Sequence, residues 1–180
     1  MARSPFYDVG PVEQVAINLF HGWGYNFYRK ENQLRADDQL VRTKAAWLLG
    51  LAHKSVDVAE GAFRREKIPA PSRAHPYPDP EAVRDVQALE TLGRAIAAVI
   101  SRLHALPTPE NDRMTERYRN EAETLRRLGA CDGQLIGKCE LLRALVESRG
   151  YDQLLGDRDQ LAEGLAAIEE TLRERQALLV

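Results

Sequence analysis

Apolar residues in this sequence recur at intervals of three and four in five separate stretches, and no stretch alternates strictly between apolar and polar residues. The first pattern is the period of an α-helix with one buried face, whereas strict alternation is the period of a half-buried strand. The second stretch shows the helical period most clearly, in Val41, Ala45, Leu48, Ala52, Val56, Ala59 and Phe63. The sequence therefore predicts an all-α fold, an antiparallel helical bundle of five or six helices with one or two long helices.

A chain of 180 residues suits one domain with a sizeable core. Its main interruption is a proline-rich connector at 68–80, which we expect to be extended. Asp79, Pro80 and Glu81 follow the order of a helix start, in which a capping side chain, a proline at the first helical position and an acid succeed one another. We predict a single domain over residues 1–180, with a helix beginning directly after this connector.

The first two apolar stripes are nearly in phase, yet they cannot belong to one straight helix of a compact domain. A continuous helix from Val12 to Lys67 would be about 84 Å long at 1.5 Å per residue. The sequence therefore predicts a turn between Glu31 and Asp37, where Asn32 could end one helix and Asp37 could cap the next.

Three glycines, Gly129, Gly133 and Gly137, recur every four residues within a further stripe. Gly129 could end one helix while Asp132 caps the next. Alternatively, one helix near 40 residues long could present a glycine face to a neighbour. Because the apolar phase continues through all three glycines, the sequence favours the single long helix.

The final helix is predicted to start at Asp152 or Asp157 and to carry a seam typical of coiled coils. A gap at Arg175 interrupts this seam, which consists of Leu161, Leu165, Ile168, Leu172 and Leu179. The long helix predicted through the three glycines would be about 60 Å long and would overhang its neighbours. Its exposed apolar seam, or that of the final helix, should therefore be covered by a second chain. We therefore expect a homodimer, or a complex with another helical protein.

Composition argues against several classes of partner. The net charge is -2 and no long basic block occurs, so we expect no nucleic-acid partner. The longest apolar run, Ala45 to Ala52, is far shorter than the roughly 20 residues of a membrane span, and no apolar leader precedes it, so we expect no membrane partner. Cys131 and Cys139 would lie about 12 Å apart along one helix, too far for a disulfide. A cytoplasmic location is the simplest expectation.

Polar and aromatic side chains are densest around the predicted first turn. His21, Tyr25, Tyr28 and Asn32 follow one another at helical spacing and so share a face. Asp38 interrupts the second apolar stripe, and a buried carboxylate there would need a cation such as Arg42. The candidate ligand-binding set between the first two helices is His21, Trp23, Tyr25, Tyr28, Asn32, Arg35, Asp38 and Arg42.

Purely structural interpretations of this cluster are also open. The aromatic face could be a hydrogen-bonded rib between helices or a boundary with its hydroxyls in water. Asp38 and Arg42 could be an exposed pair near a helix start.

A metal site has weaker support in the sequence. No histidine follows a glutamate at the spacing of dinuclear carboxylate centres. The nearest approach is the helix face of His53, Asp57 and Glu60, for which a solvated His–Asp pair is the favoured interpretation. The sequence specifies no cofactor, and no motif indicates a catalytic nucleophile.

The favoured function is therefore a non-enzymatic interaction or ligand-binding protein that self-associates. The alternative is an enzyme, or a metal- or cofactor-binding protein, that uses the polar cluster between His21 and Arg42.

Overall fold

The computed structural model describes residues 4–23, 34–73, 76–106 and 122–179, and within these ranges the chain is helical throughout apart from its connections. A short 3-10 turn at Pro5–Tyr7 precedes six α-helices: α1 Val9–Trp23, α2 Leu34–Lys67, α3 Pro80–Ala105, α4 Ala122–Glu147, α5 Tyr151–Gly156 and α6 Arg158–Leu179. No strand occurs in these ranges. The predicted all-α helical bundle is confirmed. None of the described helices combines the length and the apolar character that crossing a membrane requires.

The long helix α2 lies at the centre of the bundle, between α3 and α4. Helix α6 packs on α4 and also touches α3, and α1 packs on α4. The whole predicted stripe of α2 is buried, including Val41, Leu48 and Phe63. Burial of this stripe supplies much of the apolar contact that stabilises a helix of this length, since most helical stability in proteins comes from packing of an apolar face.

The predicted start of α3 is confirmed. Asp79 has an extended backbone, and its Oδ1 accepts a hydrogen bond from the backbone N–H of Glu81 at 3.1 Å. Pro80 is the first helical residue, where its missing N–H leaves no bond unmade. The connector between α2 and α3 is non-helical at residues 68–73 and 76–79.

Helix α4 runs unbroken through Gly129 and Asp132, so the alternative of two helices meeting there is wrong. Its glycine face receives α1. A Cβ at Gly137 would lie 2.9 Å from the carbonyl carbon of Val12, and closer still to its oxygen. Only glycine allows this approach of two helices. The full predicted length of about 40 residues depends on residues 107–121, which lie outside the described ranges.

The predicted cap of α2 is wrong, because the helix begins at Leu34, before Asp37. Asp37 lies in the first turn, where the positive end of the helix dipole favours a carboxylate, and it is buried. Of the turn predicted between Glu31 and Asp37, residues 34–37 belong to α2, and residues 31–33 lie outside the described ranges.

Four of the five seam residues of the final helix are buried within their own chain, and the side chain of the fifth, Leu179, lies outside the described residues. Leu161, Leu165, Ile168 and Leu172 all belong to the core cluster. These four residues therefore do not form an exposed face that a second chain could cover. Arg175, which interrupts the seam, is itself only 2% exposed.

Candidate functional site

Asp38 and Arg42, on α2, are the two residues of the predicted cluster whose charged groups the structure describes. Residues 24–33 lie outside the described ranges, as do the side chains at 21 and 35. The members of the predicted set affected by this are His21, Tyr25, Tyr28, Asn32 and Arg35. The convergence of the whole cluster therefore stays a prediction.

Trp23, at the end of α1, packs at the edge of the core. Its ring meets that of Phe20 edge-on, with the centroids 6.3 Å apart and the planes at 77°. The Nζ of Lys44 lies 5.0 Å from the centre of the Trp23 ring, within the range of a cation–π contact. These two ring contacts give Trp23 a packing role in this region.

Asp38 is a buried carboxylate, 2% exposed, on the core side of α2. Its Oδ2 lies 2.7 Å from Nη2 of Arg42, an ion pair rather than an aligned hydrogen bond. Arg42 also donates from Nη1 to the backbone carbonyl of Leu106, at the end of α3, at 2.7 Å. Arg42 thus joins α2 to the C-terminus of α3, where carbonyls lack helical partners.

The main partner of Asp38 comes from the far end of the chain. Arg175, on α6, donates from Nη1 to Oδ1 of Asp38 at 2.7 Å and from Nε to Oδ1 of Asp132 at 2.5 Å. Asp132 is fully buried on α4. We call these residues, Asp38, Arg42, Asp132 and Arg175, the charge cluster; it links three helices and has two charges of each sign.

Buried ions are costly to desolvate unless each is paired. In the charge cluster every carboxylate bonds to a guanidinium, and the guanidinium of Arg175 bonds to two carboxylates. Such a closed arrangement aligns α2, α4 and α6 and is suited to a structural role. Sequence reasoning considered Asp132 only as a possible helix cap and so missed its place in the cluster, whereas the gap at Arg175 in the final seam was a signal.

A second buried cation, Lys138, lies on α4 and was also missed by sequence reasoning. It is 5% exposed, and its Nζ donates to the Thr171 hydroxyl at 2.8 Å and to the carbonyl of Ala167 at 3.3 Å. Burial lowers the pKa of Lys138, and the nearby Glu174 and Glu170 carboxylates oppose this effect. Unlike Arg175, this cation has only neutral oxygens as its direct hydrogen-bond acceptors.

Lys138 lines a pocket of about 190 Å³ between the N-terminal turn, α4 and α6. Its other walls are Phe6, Tyr7, Val12, Gln134, Glu170 and Glu174. Burial raises the pKa of Tyr7, and the nearby charges of Glu170 and Glu163 add to this effect. We call this site the Lys138 pocket.

The weak metal candidate forms separate pairs. The Nδ1 of His53 lies 2.9 Å from Oδ2 of Asp57, whereas Glu60 hydrogen bonds to Arg64. His53, Asp57 and Glu60 line a groove of about 270 Å³ between α2 and α3. Across the described ranges, no group of three or more potential metal-ligating side chains comes together.

Both cysteines are free thiols on α4. Burial raises the pKa of Cys131, with the charges of Glu174 and Asp132 adding to it, and burial also raises the pKa of Cys139. A raised pKa disfavours the thiolate, which is the reactive form. Neither thiol is therefore suited to nucleophilic chemistry.

The side of α2 that points away from the core carries an exposed apolar stripe. Trp47 is 52% exposed and Val58 is 63% exposed, with the half-buried Leu51 between them. Exposed Lys54 lies on the same side, since these four residues fall within about 60° of one another at 100° per residue. We call Trp47, Leu51, Lys54 and Val58 the outer stripe.

Comparisons of the chain with protein-family models, with curated proteins and with solved structures found no match.

Proposed function

We propose that this chain is a non-enzymatic interaction protein that self-associates through the outer stripe of α2. The observation that carries the proposal is the exposure of Trp47, at 52%, on the same side of α2 as Val58, which is 63% exposed. Tryptophan is enriched at the centres of protein interfaces because it brings a large apolar area with few torsions to fix. A straight helix of 34 residues is about 50 Å long, so it offers an extended, rigid surface for such a contact.

The outer stripe complements itself across a two-fold axis. If two copies of α2 cross antiparallel at Leu51, the tryptophan of each copy lies about 6 Å along the axis from the crossing point. At that height, between Lys54 and Val58 of the second copy, the ring would gain an apolar neighbour and a cation. An ammonium over an indole face is attracted by the ring quadrupole. A two-fold interface repeats each contact, so one stripe supplies both halves.

The charge cluster supports the non-enzymatic part of the proposal. Asp38 and Asp132 are bonded to arginines and lie in the interior, so they are not presented to a substrate. A second copy is favoured over a different helical protein because the stripe holds both the aromatic ring and the cation that complements it.

The test is the mass of the full chain in solution across micromolar concentrations. The wild type should sediment as a dimer, and Trp47→Glu should sediment at the monomer mass of 20.3 kDa, because the variant loses the aromatic ring that would anchor both halves of the interface. Tyr77→Ser is the matched control, since it removes an aromatic that is 85% exposed in the connector and should leave the dimer intact. A wild-type monomer throughout, or a Trp47→Glu dimer, would refute the proposal.

Fluorescence locates the contact. The chain has two tryptophans, so Trp23→Phe leaves Trp47 as the only indole. Its emission should shift to shorter wavelength as the protein is concentrated, because dimerisation removes water from the ring. A dimer whose Trp47 emission stays unchanged would place the interface on another surface and overturn the proposal.

A further inference from the structure

The Lys138 pocket is built by close packing of the N-terminal segment on two glycines. A Cβ at Gly164 would lie 2.6 Å from Cζ of Phe6, so the ring of Phe6 rests directly on α6. Gly137 gives Val12 the same closeness to α4. Since Phe6 and Val12 are both pocket walls, these two glycines fix the shape of the pocket.

The ammonium of Lys138 has one donor to spare. A protonated lysine carries three N–H groups, and two of them are used by Thr171 and Ala167. The Nζ also lies 5.4 Å from the centre of the Tyr7 ring, which lines the same pocket. A carboxylate oxygen inside the pocket could accept this third hydrogen and would replace the water lost on burial.

The other charges of the pocket are negative. Glu170 and Glu174 lie on α6, are exposed, and line the pocket. A simple anion would meet two carboxylates as well as the lysine, whereas a simple cation would meet the lysine. A molecule that carries one charge of each sign satisfies both ends.

We propose that the Lys138 pocket binds a small zwitterion, an amino acid or short ω-amino acid whose carboxylate contacts Lys138 and whose ammonium contacts Glu170, Glu174 and the ring of Tyr7. Gln134 adds an amide beside the lysine. The volume of about 190 Å³ is roughly that of six waters at about 30 Å³ each. This size suits small zwitterions such as glycine, β-alanine or 4-aminobutyrate.

Isothermal titration of the full chain with matched probes tests the proposal. Glycine, β-alanine and 4-aminobutyrate vary the separation of the charges, while acetate and ethylamine each carry one charge alone. The best zwitterion should bind about tenfold tighter or more than either singly charged probe. Equal binding of acetate or ethylamine, or no heat from any zwitterion, would overturn the proposal.

Two variants separate the lysine from the carboxylates. Lys138→Met should abolish zwitterion binding, while the exposed Lys67→Met should leave it unchanged. Because Lys138→Met replaces a buried group, the surface variant Glu170→Gln/Glu174→Gln provides an independent arm. It should weaken zwitterion binding and strengthen acetate binding by removing the negative charges. Unchanged zwitterion affinity in either variant would refute the assigned contacts.

Discussion

Two cations are buried against the same pair of helices, and their surroundings differ. Arg175 reaches from α6 to Asp132 on α4 and to Asp38 on α2, so its charge is balanced by carboxylates at hydrogen-bond distance. Lys138 reaches from α4 to α6, where its bonded acceptors are the hydroxyl of Thr171 and the carbonyl of Ala167. One cation is neutralised inside the fold, and the other faces a pocket.

This difference separates a structural ion from a recognition group. A guanidinium that uses its planar fork on two carboxylates leaves little capacity for a ligand. An ammonium held by neutral oxygens has no carboxylate hydrogen-bonded to it and keeps one N–H for a partner. The contrast explains why the charge cluster carries the helix alignment, whereas the Lys138 pocket carries our ligand proposal.

Loss of Arg175 should have the largest effect on stability. Arg175→Met removes the cation that both aspartates bond, so we expect the free energy of unfolding to fall by about 3–5 kcal/mol. Chemical denaturation followed by far-UV circular dichroism measures this change. Arg173→Met, on the exposed side of the same helix, is the control and should change stability by less than about 0.5 kcal/mol.

Asp38→Ala probes the same cluster from α2. It removes the carboxylate that Arg42 and Arg175 share, so we expect a loss on the order of 3 kcal/mol or more. A change within about 0.5 kcal/mol in either variant would mean that the cluster behaves like surface ion pairs, and the contrast with Lys138 would disappear.

Gly137→Ala should have an intermediate effect on the free energy of unfolding, and it acts at the Lys138 pocket rather than at the charge cluster. The added methyl would collide with the backbone of Val12, so α1 must shift, at a cost of about 1–3 kcal/mol for overpacking. Gly129→Ala is the matched control on the same helix, because a Cβ there meets nothing within 4 Å. That control should be neutral or slightly stabilising through helix propensity. Equal effects of the two variants would contradict the close approach of α1.

Periodicity predicted the helical class, the buried stripe of α2 and the start of α3, because each depends on residues near one another in sequence. It left the final seam with an unexplained gap at Arg175. The reason is that the partners of Arg175 lie 137 and 43 residues away, and helical period carries no information about which helices meet. Asp132 and Lys138 are ordinary polar residues until α6 covers them.

The predicted site illustrates the same limit. Asp38 was singled out because it breaks a local stripe, yet its hydrogen-bonded partner, Arg175, comes from α6 rather than from the predicted first turn. The Lys138 pocket depends on Phe6 and Val12 resting on Gly164 and Gly137. A glycine in sequence signals close approach without naming what approaches.

The smallest expected effect concerns Lys138 and depends on pH. Lys138→Met should change the free energy of unfolding by no more than about 1 kcal/mol near neutral pH, because the lost hydrogen bonds are offset by removal of a desolvated charge. This small change, beside the large one at Arg175, is the sharpest form of the comparison. A loss of about 3 kcal/mol or more would show that Lys138 is as structural as Arg175.

The pH dependence of the free energy of unfolding tests whether desolvation of Lys138 causes this small change. Burial lowers the pKa of Lys138 in the folded chain, so between that pKa and the unfolded value of about 10.4 the unfolded chain holds the extra proton. Stability therefore gains a contribution that rises with pH across this window. Tyr7, whose pKa is raised, and Tyr151, whose pKa the hydrogen bond to Glu66 raises to about 12, act in the opposite direction above about pH 10. Subtracting the free energy of unfolding of Lys138→Met from that of the wild type removes the contribution of the tyrosines, which both proteins share. The remaining difference should grow in favour of the wild type as pH rises from 7 to 10. A flat difference would show that the buried lysine is not strained by desolvation.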